Sequence, residues 1–254
     1  MGRHTGKVAV CVGSATGMGA ETAARLAAEG ASVVIGDINI DGAEALAARI
    51  RADGGEAAAA VCDVAQEDQV NALIQGAARR YGGLDSMHVN AADLSLGRVD
   101  GDALTTDLAV FDRSVAVTLR GHLLCTRAAI PLMLERGRGA IVYTSSGASK
   151  TAAPVQMSYY VTKTGLNGLM RHVATRWGPE GIRANAICPG VVLTDTIKRS
   201  MPPEMIEEYR KRTPNTRLGE PRDIAALVTF LLSDEAEWIN GQAVSIDGGS
   251  VMHG

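Results

Sequence analysis

Tyr159 and Lys163 stand four residues apart in Tyr159-Tyr160-Val161-Thr162-Lys163, and Ser146 precedes the tyrosine by thirteen residues. On a helix, positions i and i+4 share a face, so the phenol and the ammonium project into the same space. An ammonium beside a phenol favours the phenolate. It turns a tyrosine of free pKa about 10 into an acid–base group usable nearer neutrality. A shift of about 3 units takes roughly 4 kcal/mol of differential stabilisation. One lysine in a low-dielectric site, helped by a cationic ring, supplies an interaction of that order. The same spacing also arises by chance at a surface, so the rest of the chain must decide. Tyr160 is a decoy, because its i+4 partner is Thr164. Ser145 is the nearest rival to Ser146; strand alternation points it the other way, unless the chain has already left the sheet.

These residues need a scaffold, and the hydrophobic pattern describes one. Short apolar runs at residues 7–12 (KVAVCV), 32–36, 56–62, 84–89, 140–143, 183–188 and 243–246 read as strands. Between them, residues 20–29, 41–52, 70–81, 108–137, 158–177 and 223–232 keep helical spacing. Strands alternating with helices predict right-handed crossovers and an α/β doubly wound parallel sheet of seven strands, covered on both faces. With no repeat, low-complexity tract or linker, residues 1–254 are expected to form one domain.

The first strand runs into Gly13-Ser14-Ala15-Thr16-Gly17-Met18-Gly19. Glycines there let the backbone turn tightly and approach a pyrophosphate, and the following helix offers free amides and a positive dipole end. The spacing is GxxxGxG, not GxGxxG, so its place between first strand and first helix carries the dinucleotide expectation. Asp37 ends the second strand, 18 residues beyond Gly19, where an acid binds adenosine ribose hydroxyls. A carboxylate there repels the 2′-phosphate of NADP(H), and Ser14, Ala15, Thr16 and Ile38 supply no cation to attract one. NAD is the expected cofactor. The bland alternative is that Asp37 caps the next helix.

A net charge of −3 gives no footprint for nucleic acid, and no apolar run approaches a membrane span. The N-terminus lacks a signal-peptide pattern. Cys11, Cys62, Cys125 and Cys188 lie scattered in apolar segments without metal-ligand spacing, which predicts reduced, buried thiols, a cytoplasmic protein and no metal.

With these residues in view, the chain resembles the short-chain dehydrogenase/reductase family, in its branch of about this length. The likeness runs from Lys7 to Gly249. The glycine loop matches, with Val12 where the family usually has threonine. Asp63-Val64 matches its adenine-contacting pair, and Val89-Asn90-Ala91-Ala92 its Asn-Asn-Ala-Gly motif with both end positions changed. Ser146, Tyr159 and Lys163 match the catalytic serine, tyrosine and lysine. Pro189-Gly190, Val192 and Thr194 match the segment holding the nicotinamide carboxamide, and Asp247-Gly248-Gly249 the C-terminal signature. Thr118 departs from the pattern: the family has asparagine there, 28 residues before the serine, credited with bending its helix and exposing a carbonyl to the proton-relay water. Threonine keeps that carbonyl and can bond back to the helix, which implies a slowed relay rather than a dead site.

The implied reaction is oxidation of a secondary alcohol to a ketone, or its reverse. Tyr159 is the implied acid–base group, Lys163 lowers its pKa and binds the nicotinamide ribose, and Ser146 hydrogen-bonds the substrate oxygen. The family places a mobile substrate lid at residues 194–214; its apolar residues, with Leu94, Leu96, Val155 and Met157, suggest a hydrophobic pocket, against the alternative of ordinary helix packing. It also associates through helices corresponding to residues 108–135 and 158–177, implying a homotetramer. Two rival functions are a redox-silent NAD-binding protein, suggested by Thr118, Val89 and Ala92, and an acyl-thioester ketone reductase, which would normally prefer NADPH. A sugar-nucleotide epimerase or dehydratase is disfavoured by length and glycine spacing.

Overall fold

The computed structural model describes residues 2–252. Seven parallel strands form one sheet in the order β3-β2-β1-β4-β5-β6-β7. They are β1 (Val8–Val12), β2 (Ser32–Asp37), β3 (Glu56–Val61), β4 (Ser86–Val89), β5 (Gly139–Thr144), β6 (Ile182–Pro189) and β7 (Ala243–Ile246). β1 is buried along its whole length, as a continuous apolar run with both faces covered requires.

Strand alternation sorts the core into two halves. Val10, Val12, Met87, Ile141 and Tyr143 point to one side. There they meet α3 (Glu67–Tyr81), α5 (Gly121–Glu135) and α6 (Met157–Trp177) through residues such as Leu73, Ile74, Cys125 and Met170. Ala9, Cys11, Val33, Ile35 and Val142 point to the other side. They meet α1 (Gly17–Ala28), α2 (Ile40–Ala52) and α9 (Pro221–Leu232) through Leu26, Leu46, Ile224 and Val228. Each large aliphatic buried this way contributes about 1.5–3 kcal/mol of transfer free energy.

The helical pattern over residues 108–137 is not one uninterrupted α-helix. It runs as α4 (Leu108–Ser114), a π-helical turn (Val115–Arg120) and α5. A single wide turn shifts the side-chain phase too little to disturb the apolar spacing, so periodicity does not reveal it. Residues 194–214 contain two further helices, α7 (Asp195–Ser200) and α8 (Pro203–Arg212), neither with a buried residue. All four cysteines are buried and unpaired. Among the described residues no helix is long and apolar enough to cross a membrane.

Candidate active site

Because every strand is parallel, the strands present their carboxyl ends along one edge. The order reverses between β1 and β4, opening a crevice there, the usual ligand position in such sheets. Gly13 follows β1, Asp37 ends β2, Asp63-Val64 follows β3, Asn90-Ala91 follows β4, Ser146 follows β5, and Pro189-Gly190 closes β6. These residues therefore lie on one rim.

The glycine loop is shaped by contacts that leave no room for a side chain. Gly13 has φ +68°, and a Cβ there would lie 2.5 Å from the Cα of Ala91. A Cβ on Gly19 would lie 2.4 Å from the hydroxyl of Ser14. Ser14 is turned inward, donating to the Val12 carbonyl at 3.3 Å, so what it offers a ligand is backbone. Thr16, at the N-cap of α1, makes no side-chain cap, leaving the Gly17, Met18 and Gly19 end of that helix an open anion cradle. Asn90 locks the crevice: its side-chain amide donates to the Gly13 carbonyl at 2.8 Å and its backbone N–H to Val12 at 2.9 Å. Its Oδ1 is buried without a partner.

Asp37 does not cap α2; Asn39 does, accepting from the Gly42 N–H at 3.1 Å. The Asp37 carboxylate instead accepts from Ala15 N–H at 2.8 Å and Asn39 N–H at 2.9 Å, tying the end of β2 to the glycine loop. Ile38 beside it is exposed. Asp63 accepts from Ala65 N–H at 2.9 Å, and buried Val64 packs where Gly121 lacks a side chain. Val192 is buried and bridges to Gly219. Thr194 N-caps α7, accepting from Ile197 N–H at 3.2 Å, and its methyl lies 3.2 Å from where a Cβ on Gly17 would be. The start of α7 thus meets the glycine loop, a contact of residues far apart in sequence.

Tyr159 and Lys163 share a face of α6, with the ammonium 5.7 Å from the phenol ring centroid. Lys163 is buried and donates to the Thr144 carbonyl at 2.8 Å, and burial pulls its pKa down to about 8. Ser146 accepts from Ala148 N–H at 3.1 Å, which leaves its own proton available to donate. Ser145 points away and donates to the Lys163 carbonyl at 2.9 Å, so Ser146 is the serine that faces the tyrosine.

One electrostatic expectation is corrected. The Tyr159 pKa is raised, not lowered: burial disfavours the phenolate, and the Ser146 hydroxyl opposes this only in part. The desolvation that pushes Lys163 toward neutrality acts equally against an anion beside it. Thr118 is buried inside the π turn that packs on α6. No metal-ligating cluster occurs among the described residues.

Some contacts could not be anticipated from spacing. Thr144 and Ser145 hold the middle of α6 through backbone oxygens. Asp100, from the loop after β4, receives three hydrogen bonds from the first turn of α6, 58 residues on. No periodicity links positions so distant.

A family model described as enoyl-(acyl carrier protein) reductase matches residues 12–251. The chain is 44% identical to a probable short-chain type dehydrogenase/reductase of Bradyrhizobium diazoefficiens, over all of this chain and 90% of that one. The chain belongs to the short-chain dehydrogenase/reductase family. It is a hydride-transfer oxidoreductase of the kind that interconverts alcohols and ketones. Other members are also similar. Levodione reductase of Leifsonia aquatica is 36% identical, over 97% of this chain and 95% of its own. A solved 7α-hydroxysteroid dehydrogenase, complexed with NADH and 7-oxo glycochenodeoxycholic acid, superposes with a TM-score of 0.93. It is 33% identical, and the match covers 99% of this chain and 96% of that one. The short-chain dehydrogenase/reductase fold accounts for the nucleotide-binding rim described above.

Proposed function

We propose that this enzyme is an NAD(H)-dependent dehydrogenase/reductase acting on a hydrophobic secondary alcohol or its ketone. The observation that carries the cofactor choice is Asp37. Its carboxylate stands at the end of β2 with both oxygens engaged by backbone amides, and the neighbouring Ile38 and Asn39 bring no cation. A second anion, the 2′-phosphate with about −1.5 to −2 charges, would meet that carboxylate without compensation. The tight Gly13 and Gly19 contacts and the orphaned Asn90 Oδ1 fit a dinucleotide laid across the crevice. Bound NAD(H) supplies the hydride acceptor or donor.

In this reading Gly13, Ser14, Thr16, Gly17, Met18 and Gly19 receive the pyrophosphate, and Asp37 and Ile38 border the adenosine ribose. Asp63 and Val64 border the adenine, and Asn90, Ala91, Pro189, Gly190, Val192 and Thr194 line the nicotinamide end. Tyr159 takes the alcohol proton or returns it to the ketone. Ser146, whose hydroxyl faces the phenol and accepts from Ala148 N–H, turns its proton to the substrate oxygen. Lys163 holds the tyrosine's surroundings cationic and reaches for the nicotinamide ribose with the donors that Thr144 leaves free. Thr118 contributes its carbonyl; the π turn around it supports a displaced carbonyl where the family uses asparagine.

Residues 194–214 form the substrate lid in this reading, within one domain spanning residues 1–254. Its helices hold no fully buried residue, Met205 and Tyr209 are exposed, and Leu94 and Val155 stand exposed on loops that also reach the rim. Exposed Leu108, Leu123 and Val161 on α4, α5 and α6 support association into a homotetramer. The four unpaired, buried thiols support a cytoplasmic location.

The test is direct titration of the protein with NADH and NADPH by tryptophan quenching, then turnover on a panel of hydrophobic alcohols and ketones. At least a tenfold preference for NADH is expected, equivalent to about 1.4 kcal/mol. Equal affinities would refute the assignment.

A further inference from the structure

The helix that carries Tyr159 and Lys163 begins in an unusual way. The residue at its N-cap, Gln156, has φ +63°, the one non-glycine residue with positive φ among those described, and its side chain makes no cap. A helix start leaves backbone N–H groups without intrahelical partners, and buried ones must be satisfied from elsewhere. Here the loop after β4 satisfies them. The Asp100 carbonyl accepts from Gln156 N–H at 2.9 Å and the Gly101 carbonyl from Met157 N–H at 3.1 Å. The Asp100 carboxylate takes the next two: Ser158 N–H at 3.1 Å on Oδ1 and Tyr159 N–H at 3.0 Å on Oδ2. Oδ1 also accepts the Ser158 hydroxyl at 2.8 Å. Asp100 and Ser158 are both buried, so water does not compete for these bonds.

We propose that Asp100 is a positioning residue for Tyr159, acting as a cap supplied from a distant loop that fixes where the catalytic helix starts. The inference rests on the acid–base role given to Tyr159 above. A carboxylate suits the task because both of its oxygens accept, and its charge opposes the positive end of the helix. The restraint lands on the tyrosine's own amide. Thr144 and Ser145 anchor the helix at Lys163, one turn further on. Without Asp100 the lysine stays tethered while the turn carrying the phenol loosens. The same loop reaches the lid, because Arg98 donates to the Ser200 carbonyl at 3.2 Å, and it reaches Gln156, whose amide donates to the Gly97 carbonyl at 3.1 Å. One wall of the substrate crevice and the acid–base group are therefore set by one segment.

The experiment compares Asp100→Ala, Asp100→Asn and Asp102→Ala with the parent. Asp102 is an exposed neighbour that closes its own turn by accepting from Leu104 N–H and Thr105 N–H, so it controls for general loosening of the loop. Displacing a reacting group by about 1 Å costs on the order of 100-fold in rate. Asp100→Ala should lower kcat about 10- to 100-fold, with NADH affinity within about twofold of the parent. Asp100→Asn keeps an acceptor for Ser158 but turns an N–H₂ toward the Tyr159 amide, so it should recover part of the loss. Asp102→Ala should stay within about twofold, as surface changes usually do. Hydrogen exchange gives a readout independent of turnover: the Ser158 and Tyr159 amides should exchange at least about tenfold faster in Asp100→Ala, while β1 to β3 keep their protection. If no substrate on the panel is turned over by the parent, the functional reading fails, and exchange alone decides the role of Asp100. Unchanged exchange at Ser158 and Tyr159 would overturn the proposal. So would a kcat loss matched by equal losses in NADH affinity and in protection across the sheet, or an Asp102→Ala loss as large as that of Asp100→Ala.

Discussion

Lys163 should make the cofactor-free protein less stable, and replacing it with methionine should show how much. The ammonium is buried against the Thr144 carbonyl and its pKa falls to about 8, against about 10.4 for an unfolded lysine. A basic group whose folded pKa is depressed binds its proton more tightly in the unfolded chain. Below about pH 8 both states are protonated and the full cost is present, about 3 kcal/mol at 1.36 kcal/mol per unit. Between about pH 8 and pH 10.4 that cost fades, so stability rises with pH through this window. Lys163→Met removes the charge at similar length but leaves the Thr144 carbonyl without its donor, costing about 1–2 kcal/mol. At pH 7 the variant should therefore gain about 1–2 kcal/mol, or about 2–8 °C in Tm for a chain of this size. By pH 10 the advantage should vanish or reverse. The assay is thermal denaturation by circular dichroism at pH 7 and pH 10, at equal protein concentration and without NAD(H), whose binding would stabilise the parent selectively. A stability difference of one value at both pH settings would refute the reasoning, as would a variant less stable than the parent at pH 7. On the proposed roles of this ammonium toward the tyrosine and the ribose, turnover and NADH affinity should both fall in this variant.

Tyr159→Phe should lose on the order of 10²- to 10⁴-fold in kcat, the usual worth of a general acid–base group, with NADH affinity little changed; full activity would remove its acid–base role. Thr118→Asn should raise kcat about 2- to 10-fold, equivalent to about 0.4–1.4 kcal/mol, if only the main-chain carbonyl at this position matters. An inactive parent that recovers on Thr118→Asn would favour the redox-silent alternative. Light scattering at micromolar concentration should report a tetramer, and a monomeric mass would contradict the role given to exposed Leu123 and Val161.

What could be read in the sequence was whatever depends on short-range order. The strand β1 showed as an unbroken apolar run because both sides of a parallel sheet are covered, and α6 showed because a phenol and an ammonium four residues apart share a helical face. Gly13 and Gly19 were legible because tight turns and close approaches exclude a Cβ; which atoms they approach, Ala91 and Ser14, required the fold. The choice of Ser146 over Ser145 was half legible: alternation separates their directions, but only the packed structure shows Ser145 spent on the Lys163 carbonyl. The π turn at Thr118 left the apolar spacing intact and so left no trace in it. The direction of the Tyr159 pKa went against the local expectation because desolvation depends on everything packed around the phenol, whereas spacing reports only the nearest charge. Asp100 lay outside any pattern. Its carboxylate meets the first turn of α6 across 58 residues of chain, and such a contact exists only once β4, its loop and α6 have been brought together by the sheet.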